Sequence, residues 1–141
     1  MCPLRNLNLT RARINALMDK AEDPLQIINQ YIREMELLLE AAEQTAAKQL
    51  AALSQFRLLS EEQSELAKRR EEQAYMAVQA GQLDLARRAL LAKSNAEKKA
   101  AKYKANEDLC MRAADYMYER HEEIRLQLAE LISRRDALIK V

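Results

Sequence analysis

Gly81 is the only glycine in this 141-residue chain, and it stands near the middle of Pro24–Lys140, a stretch with no other helix breaker after its first residue. A single residue that tolerates left-handed backbone, flanked by arms of nearly equal length (24–80 and 82–140), leaves few folds open. Equal arms let each turn of one helix find a partner on the other, as an antiparallel hairpin requires. At a rise of ~1.5 Å per residue each arm would run roughly 85 Å, against a mean of about 11–12 residues for a globular helix. The expected class is all-α: a long antiparallel two-helix coiled-coil hairpin over 24–141, preceded by a short N-terminal amphipathic helix within 1–23.

The composition suits a thin seam between two helices better than a thick core. Tryptophan is absent, phenylalanine occurs once and aromatics make up 4% of the chain. Ala, Glu, Lys, Leu, Arg and Gln dominate, as they do in long helices. No run of ~18 apolar residues exists to span a membrane, and the N-terminus lacks the apolar core of a signal peptide. With only Cys2 and Cys110, far apart in sequence, the chain reads as cytoplasmic with reduced thiols. The net charge of +1 conceals a division: residues 24–80 carry six basic and nine acidic groups, residues 81–141 thirteen and ten. Oppositely charged arms favour pairing with each other and help fix their orientation.

The first arm is well punctuated. Asp23 suits an N-cap, Pro24 the first helical position, and Gln26 completes a loose capping box. Apolar residues then fall at Ile28, Ile32, Met35, Leu39, Ala42, Ala46, Leu50 and Leu53. The doubled four-residue step from Ala42 to Leu50 predicts a stutter that locally unwinds the supercoil. From Ser60 to Gln73 the stripe nearly vanishes, with Leu66 the main anchor, and that middle is expected to be more mobile. Gly81 should end the first helix, and Asp84 should cap the next, with Arg87 offering no capping-box partner. On the return arm Cys110, Met117, Ile124, Leu131 and Leu138 recur every seven residues, with Ala113, Leu128 and Arg120 or His121 between them. Pairing Pro24 with about Lys140 sets Ile28, Ile32, Met35 and Leu39 opposite Leu138, Leu131, Leu128 and Ile124.

No catalytic, metal or cofactor constellation emerges. His121 is the only histidine, so its HEEIR context lacks the second histidine of a zincin helix. Two cysteines without CxxC spacing build no structural zinc site, and one glycine makes neither a phosphate loop nor a nucleophile elbow. Lys98, Lys99, Lys102, Tyr103 and Lys104 form a basic cluster, yet the near-neutral chain is unlike a nucleic-acid module, and a solvated face is the expected reading.

The first 18 residues hold Arg5, Arg11 and Arg13 and no acid. At 100° per residue Leu7, Ile14, Leu17, Met18 and Ala21 gather on one side with Leu4 at its edge, a basic amphipathic pattern. Leu4, Arg5, Leu7, Arg11, Arg13, Ile14, Leu17 and Met18 are thus candidates for contact with an anionic membrane surface. The alternative is a helix that folds back on the hairpin or on a neighbouring subunit.

Three stretches resemble the phage shock protein A (PspA) family and its plastid vesicle-inducing relatives, bacterial members of the ESCRT-III superfamily. Asn15–Pro24 (NALMDKAEDP) is similar to the family's junction between N-terminal helix and hairpin, and Ile32–Glu36 (IREME) to the run that follows. Ala77, Ala80, Gly81, Asp84–Arg87, Ala89–Leu90 and Lys93 are similar to its tip. The resemblance implies a non-enzymatic protein that acts in envelope stress at the inner face of the cell membrane. It implies anionic-membrane binding through the N-terminal helix, and homo-oligomer formation or co-assembly with a longer relative through the hairpin. It also implies, for some members, a hold on an AAA+ transcription activator; nucleic acid is not an expected partner. Cys2, Leu4, Arg5 and Asn6 stand where the family usually carries bulky hydrophobics, so weaker insertion is expected. Relatives continue for roughly 80 further residues, so the chain is expected to be a short form without the C-terminal helices. The rival expectation is a soluble module that binds a protein partner without touching lipid.

Overall fold

A computed structural model describes the backbone from Pro3 to Lys140 and the side chains from Ala12 to Lys140. Three helices follow one another: α1 (Pro3–Lys20), α2 (Pro24–Gln79) and α3 (Leu83–Lys140), with α2 and α3 packed antiparallel as an all-α hairpin. The backbone N–H of Gln26 donates to Asp23 Oδ1 at 3.2 Å, so Asp23 caps α2 and Pro24 opens it. The chain divides into two compact units, Met1–Ala47 with Ala114–Val141, and Lys48–Ala113.

In the first unit Ile14, Ile28, Ile32, Met35, Ala42, Ile124 and Leu131 form one buried cluster, with Met18, Tyr31, Leu39, Met117, Leu128 and Ile132 packed against it. Isoleucine, leucine and methionine fill this part of the seam. Leu138, a member of the expected seam, is 39% exposed, and Leu25, near the start of α2, is 36% exposed. Both lie in the terminal turns of the pair, the first of α2 and the last of α3, where the packing of the two helices on each other ends. On α3 the buried alanine is Ala114, one residue beyond the expected Ala113.

In the second unit the seam is made of small residues. Ala67, Ala74, Ala77, Ala86, Ala89, Ala96 and Ala100 are buried, as is Cys110, a free thiol. Side chains this short allow the helix backbones close approach. Phe56 and Tyr103 stack across the seam with ring centroids 6.3 Å apart, and Ser60 Oγ donates to the Ala100 carbonyl at 3.1 Å.

The expected stutter is absent. After Ala46 the inward positions are Gln49 and Leu53, whereas Leu50 is 36% exposed. Inward positions therefore alternate by three and four throughout: 28, 32, 35, 39, 42, 46, 49, 53, 56, 60, 63, 67, 70, 74 and 77. A helix backbone is indifferent to polarity at one position, and the aliphatic stem of glutamine can cover a seam while its amide reaches water. The apolar gap between Ser60 and Gln73 closes in the same way. Ser60, Gln63, Ala67 and Arg70 hold the inward positions there, and Leu66 flanks them half-buried.

Candidate functional site

α3 carries charge inside its own seam. Lys93, Glu107 and His121 occupy inward positions two heptads apart, and Arg135 is the next in the series. Their partners on α2 recur at the same interval. Glu71 lies 3.4 Å from Lys93, Arg57 Nε donates to Glu107 Oε1 at 2.9 Å, and His121 Nε2 meets Glu43 Oε1 at 2.8 Å. Glu107 is the most enclosed of these at 6% exposure. The hydrogen bond from Arg57 holds its carboxyl below the ordinary range against an opposing desolvation, with Lys104 adding to the effect. Polar groups at seam positions fix register and orientation, because sliding by one heptad would strand each charge without its partner.

Of the membrane-facing candidates, Leu4, Arg5, Leu7 and Arg11 lie on α1 but their side chains fall outside the described residues. Arg13 is exposed and Leu17 is 42% exposed. Ile14, however, is only 2% exposed and sits in the cluster with Ile28, Ile124 and Leu131, while Met18 packs against it. Arg134 of α3 fastens the contact: Nη1 donates to Asn15 Oδ1 at 2.6 Å and Nη2 approaches Met18 Sδ at 3.5 Å. Among the described side chains of α1, Ile14 and Met18 are thus engaged by protein and Leu17 is not. Arg134 carried no signal in the sequence, because nothing in a one-dimensional pattern places α1 beside the last turns of α3.

At the tip, Gly81 has φ 73°, and a Cβ built there would meet nothing within 4 Å. Gln82 N donates to the Ala77 carbonyl at 2.8 Å and Gly81 N to that of Val78 at 3.0 Å. These two bonds make a Schellman motif that satisfies the last carbonyls of α2. The Gln82 carbonyl already accepts from Ala86 N at 3.1 Å. Gln82, not Asp84, is therefore the residue from which α3 starts. Asp84 lies within the first turn, where its charge complements the helix N-terminus, and Arg87 Nη1 pairs with it at 3.0 Å. The expectation of a capping Asp84 missed that one residue can close one helix and open the next.

In the basic cluster, Tyr103 is occupied by Phe56 and Lys104 lies 3.5 Å from Glu107, leaving Lys98, Lys99 and Lys102 as an exposed face. No group of three or more His, Cys, Asp or Glu among the described residues is placed to hold a metal. No described helix is long and apolar enough to cross a membrane.

A helical hairpin with a charge-laddered seam, a glycine-turned tip and a basic helix docked against its ends defines the class: a coiled-coil protein whose surfaces are its working parts. The profile of the PspA/IM30 family matches residues 4–140, and the chain belongs to that family. It is 34% identical over 128 residues to Protein LiaH of Bacillus subtilis (strain 168), covering 91% of this chain and 57% of LiaH. It is 31% identical over 132 residues to a phage shock protein A homolog of the same organism, covering 93% of this chain and 58% of that protein. A phage shock protein A homolog of Deinococcus radiodurans is 37% identical over 82 residues, 58% of this chain and 37% of that protein. The chain thus spans less than two thirds of the length of the relatives it matches. Family membership agrees with the expectation of a non-enzymatic protein.

Proposed function

We propose that this PspA-like chain is a non-enzymatic stress-response protein that binds an anionic membrane surface through α1 and associates with copies of itself, or with longer relatives, through the hairpin. The observation that carries the reading is the basic amphipathic α1 set directly before a family-matched hairpin. Arg13 and Leu17 face solvent, whereas Ile14 and Met18 are taken up by α2 and α3. Membrane engagement by the full apolar side of α1 therefore requires α1 to leave its dock. In this reading the dock holds the chain off the membrane until lipid outcompetes it. The place of action is the inner face of the cell membrane.

Co-sedimentation with anionic liposomes at low salt tests this, with wild type set against a variant lacking residues 1–22 and circular dichroism checking that the hairpin persists. Binding by wild type alone is expected. Failure of wild type to bind vesicles of any anionic content would remove the membrane role.

The docked α1 also favours a second reading, a regulatory module that holds a protein partner, such as an AAA+ transcription activator, without lipid contact. A single stoichiometric partner recovered from membrane-free lysate, together with no vesicle binding, would select it.

A further inference from the structure

The tip unit bears an apolar groove between α2 and α3, floored by Met76, Ala80, Leu85 and Ala89, with one arginine from each helix, Arg70 and Arg88, on its lining. Met76 is 68% and Leu85 48% exposed, and Tyr75, Val78, Leu83, Leu90 and Leu91 nearby are exposed as well. Soluble chains rarely display so dense an apolar patch without a use for it. The patch is also positive: residues 68–93 hold six basic and three acidic groups. Arg88 has no ion pair among the described residues, and Arg70 Nη1 is engaged only by the neutral Gln73 Oε1 at 2.7 Å.

The other unit displays an exposed leucine flanked by charge of the opposite sign. Leu37 on α2 is 67% exposed, and Glu34 and Glu40 lie three residues to either side of it, on the same face. The two carboxylates straddle the leucine over about 9 Å of helix. Glu34 has no ion pair among the described residues, and Glu40 accepts only from Gln44 at 3.4 Å. Residues 33–43 carry one basic and four acidic groups.

We propose that the tip groove receives Leu37 of a second copy of this chain, with Arg70 and Arg88 set against that copy's Glu34 and Glu40. This specifies the self-association named in the proposed function and rests on that part of it. The surface offered differs from the surface received, so the contact is head-to-tail and repeats from copy to copy. One leucine and two ion pairs make a small interface, well below that of a stable dimer. Association is weak per contact, sensitive to salt, and strengthened where copies are brought together on a surface.

The test uses the full chain in two charge-reversed forms, Arg70→Glu with Arg88→Glu, and Glu34→Arg with Glu40→Arg. Sedimentation velocity at rising concentration and low salt should show wild type assembling, and each variant alone associating about tenfold or more weakly. In the first variant both surfaces are acidic and in the second both are basic, so an equimolar mixture should recover association to within about threefold of wild type. Circular dichroism verifies that both remain helical. Wild type that stays monomeric throughout, or a mixture of folded variants that does not recover, overturns the proposal. So does a tip-reversed variant that self-associates like wild type but loses vesicle binding, which would make the groove a lipid surface. Both variants keep α1, so the membrane reading is scored separately: wild type that assembles yet ignores vesicles sinks that reading and leaves this one standing.

Discussion

The dock that holds α1 can be weighed. Arg134 donates to Asn15 Oδ1 at 2.6 Å and reaches Met18 Sδ at 3.5 Å. A hydrogen bond from a charged donor contributes about 1.5–3 kcal/mol, and this one lies at the surface, which places it at the lower end. Removing about 1.5 kcal/mol shifts the docked-to-free ratio of α1 by about tenfold. If lipid selects the free form, the apparent vesicle affinity rises by that factor. Arg134→Ala also deletes a positive charge, which costs at most about 1 kcal/mol, or fivefold, at an anionic surface. The two effects oppose each other, and the net expectation is a gain of about twofold or more. Asn15→Ala breaks the same bond without changing charge and should show nearly the whole tenfold. In the double variant the bond can be lost only once, so its affinity should match Arg134→Ala and not the product of the two single effects. Liposome co-sedimentation at several lipid concentrations gives the affinities, and amide exchange over residues 12–20 reports undocking independently. Unchanged or weaker vesicle binding in Asn15→Ala, with exchange accelerated, would show that the dock does not restrain lipid binding.

Other outcomes follow from single sites. Ile124→Ala empties a fully buried position in the cluster around Ile28 and should cost about 3 kcal/mol in urea unfolding of the first unit; a loss below about 1 kcal/mol would contradict the packing described. Gly81→Ala should cost about 1 kcal/mol or less in urea unfolding of the second unit, because φ 73° strains any Cβ by ~1–2 kcal/mol while the stiffer unfolded chain returns about 0.4–1 kcal/mol. Open space around the new methyl leaves no steric cost, so a loss above about 3 kcal/mol would mean the tip is packed in a way not seen here. Glu107 has a carboxyl held below 4.5 in the folded chain, so its contribution is present above that value and fades as pH falls through the lowered one. Glu107→Gln should melt earlier than wild type at pH 7, with the gap closing below about pH 4.5; a gap that persists into strong acid would rule out the Arg57 pairing as its cause.

Much of the architecture was legible because a two-helix seam is written in one dimension. Gly81 marked the turn, Asp23 and Pro24 the start of α2, and the seven-residue recurrence of Cys110, Met117, Ile124 and Leu131 the inner face of α3. What misled was the assumption that inward positions must be apolar. Following leucine from Ala46 to Leu50 manufactured a stutter, while Gln49, Gln63 and Arg70 were holding the register. The same assumption concealed Lys93 and Glu107, whose spacing of four and two heptads from His121 was present in the sequence all along. Charged residues on a long helix are ordinarily its solvated face, and only the matching interval of Glu43, Arg57 and Glu71 on the other arm sets these apart.

The surfaces were harder to read than the seam, for a physical reason. An apolar side chain on an amphipathic helix reports that it wants to leave water, and says nothing about whether lipid or protein receives it. Ile14, Leu17 and Met18 look equivalent in α1, yet two of them enter the protein and one does not. The same ambiguity holds for Leu37 and Met76, which stand exposed beside charges of opposite sign. Burial energy is non-directional, so the discriminating information resides in the polar neighbours: Asn15 beside Arg134 selects a protein dock for α1, and Arg70 with Arg88 selects an acidic occupant for the tip. Substitutions that alter only those polar neighbours, and leave every apolar residue in place, are therefore the ones that should redirect where α1 and the tip bind.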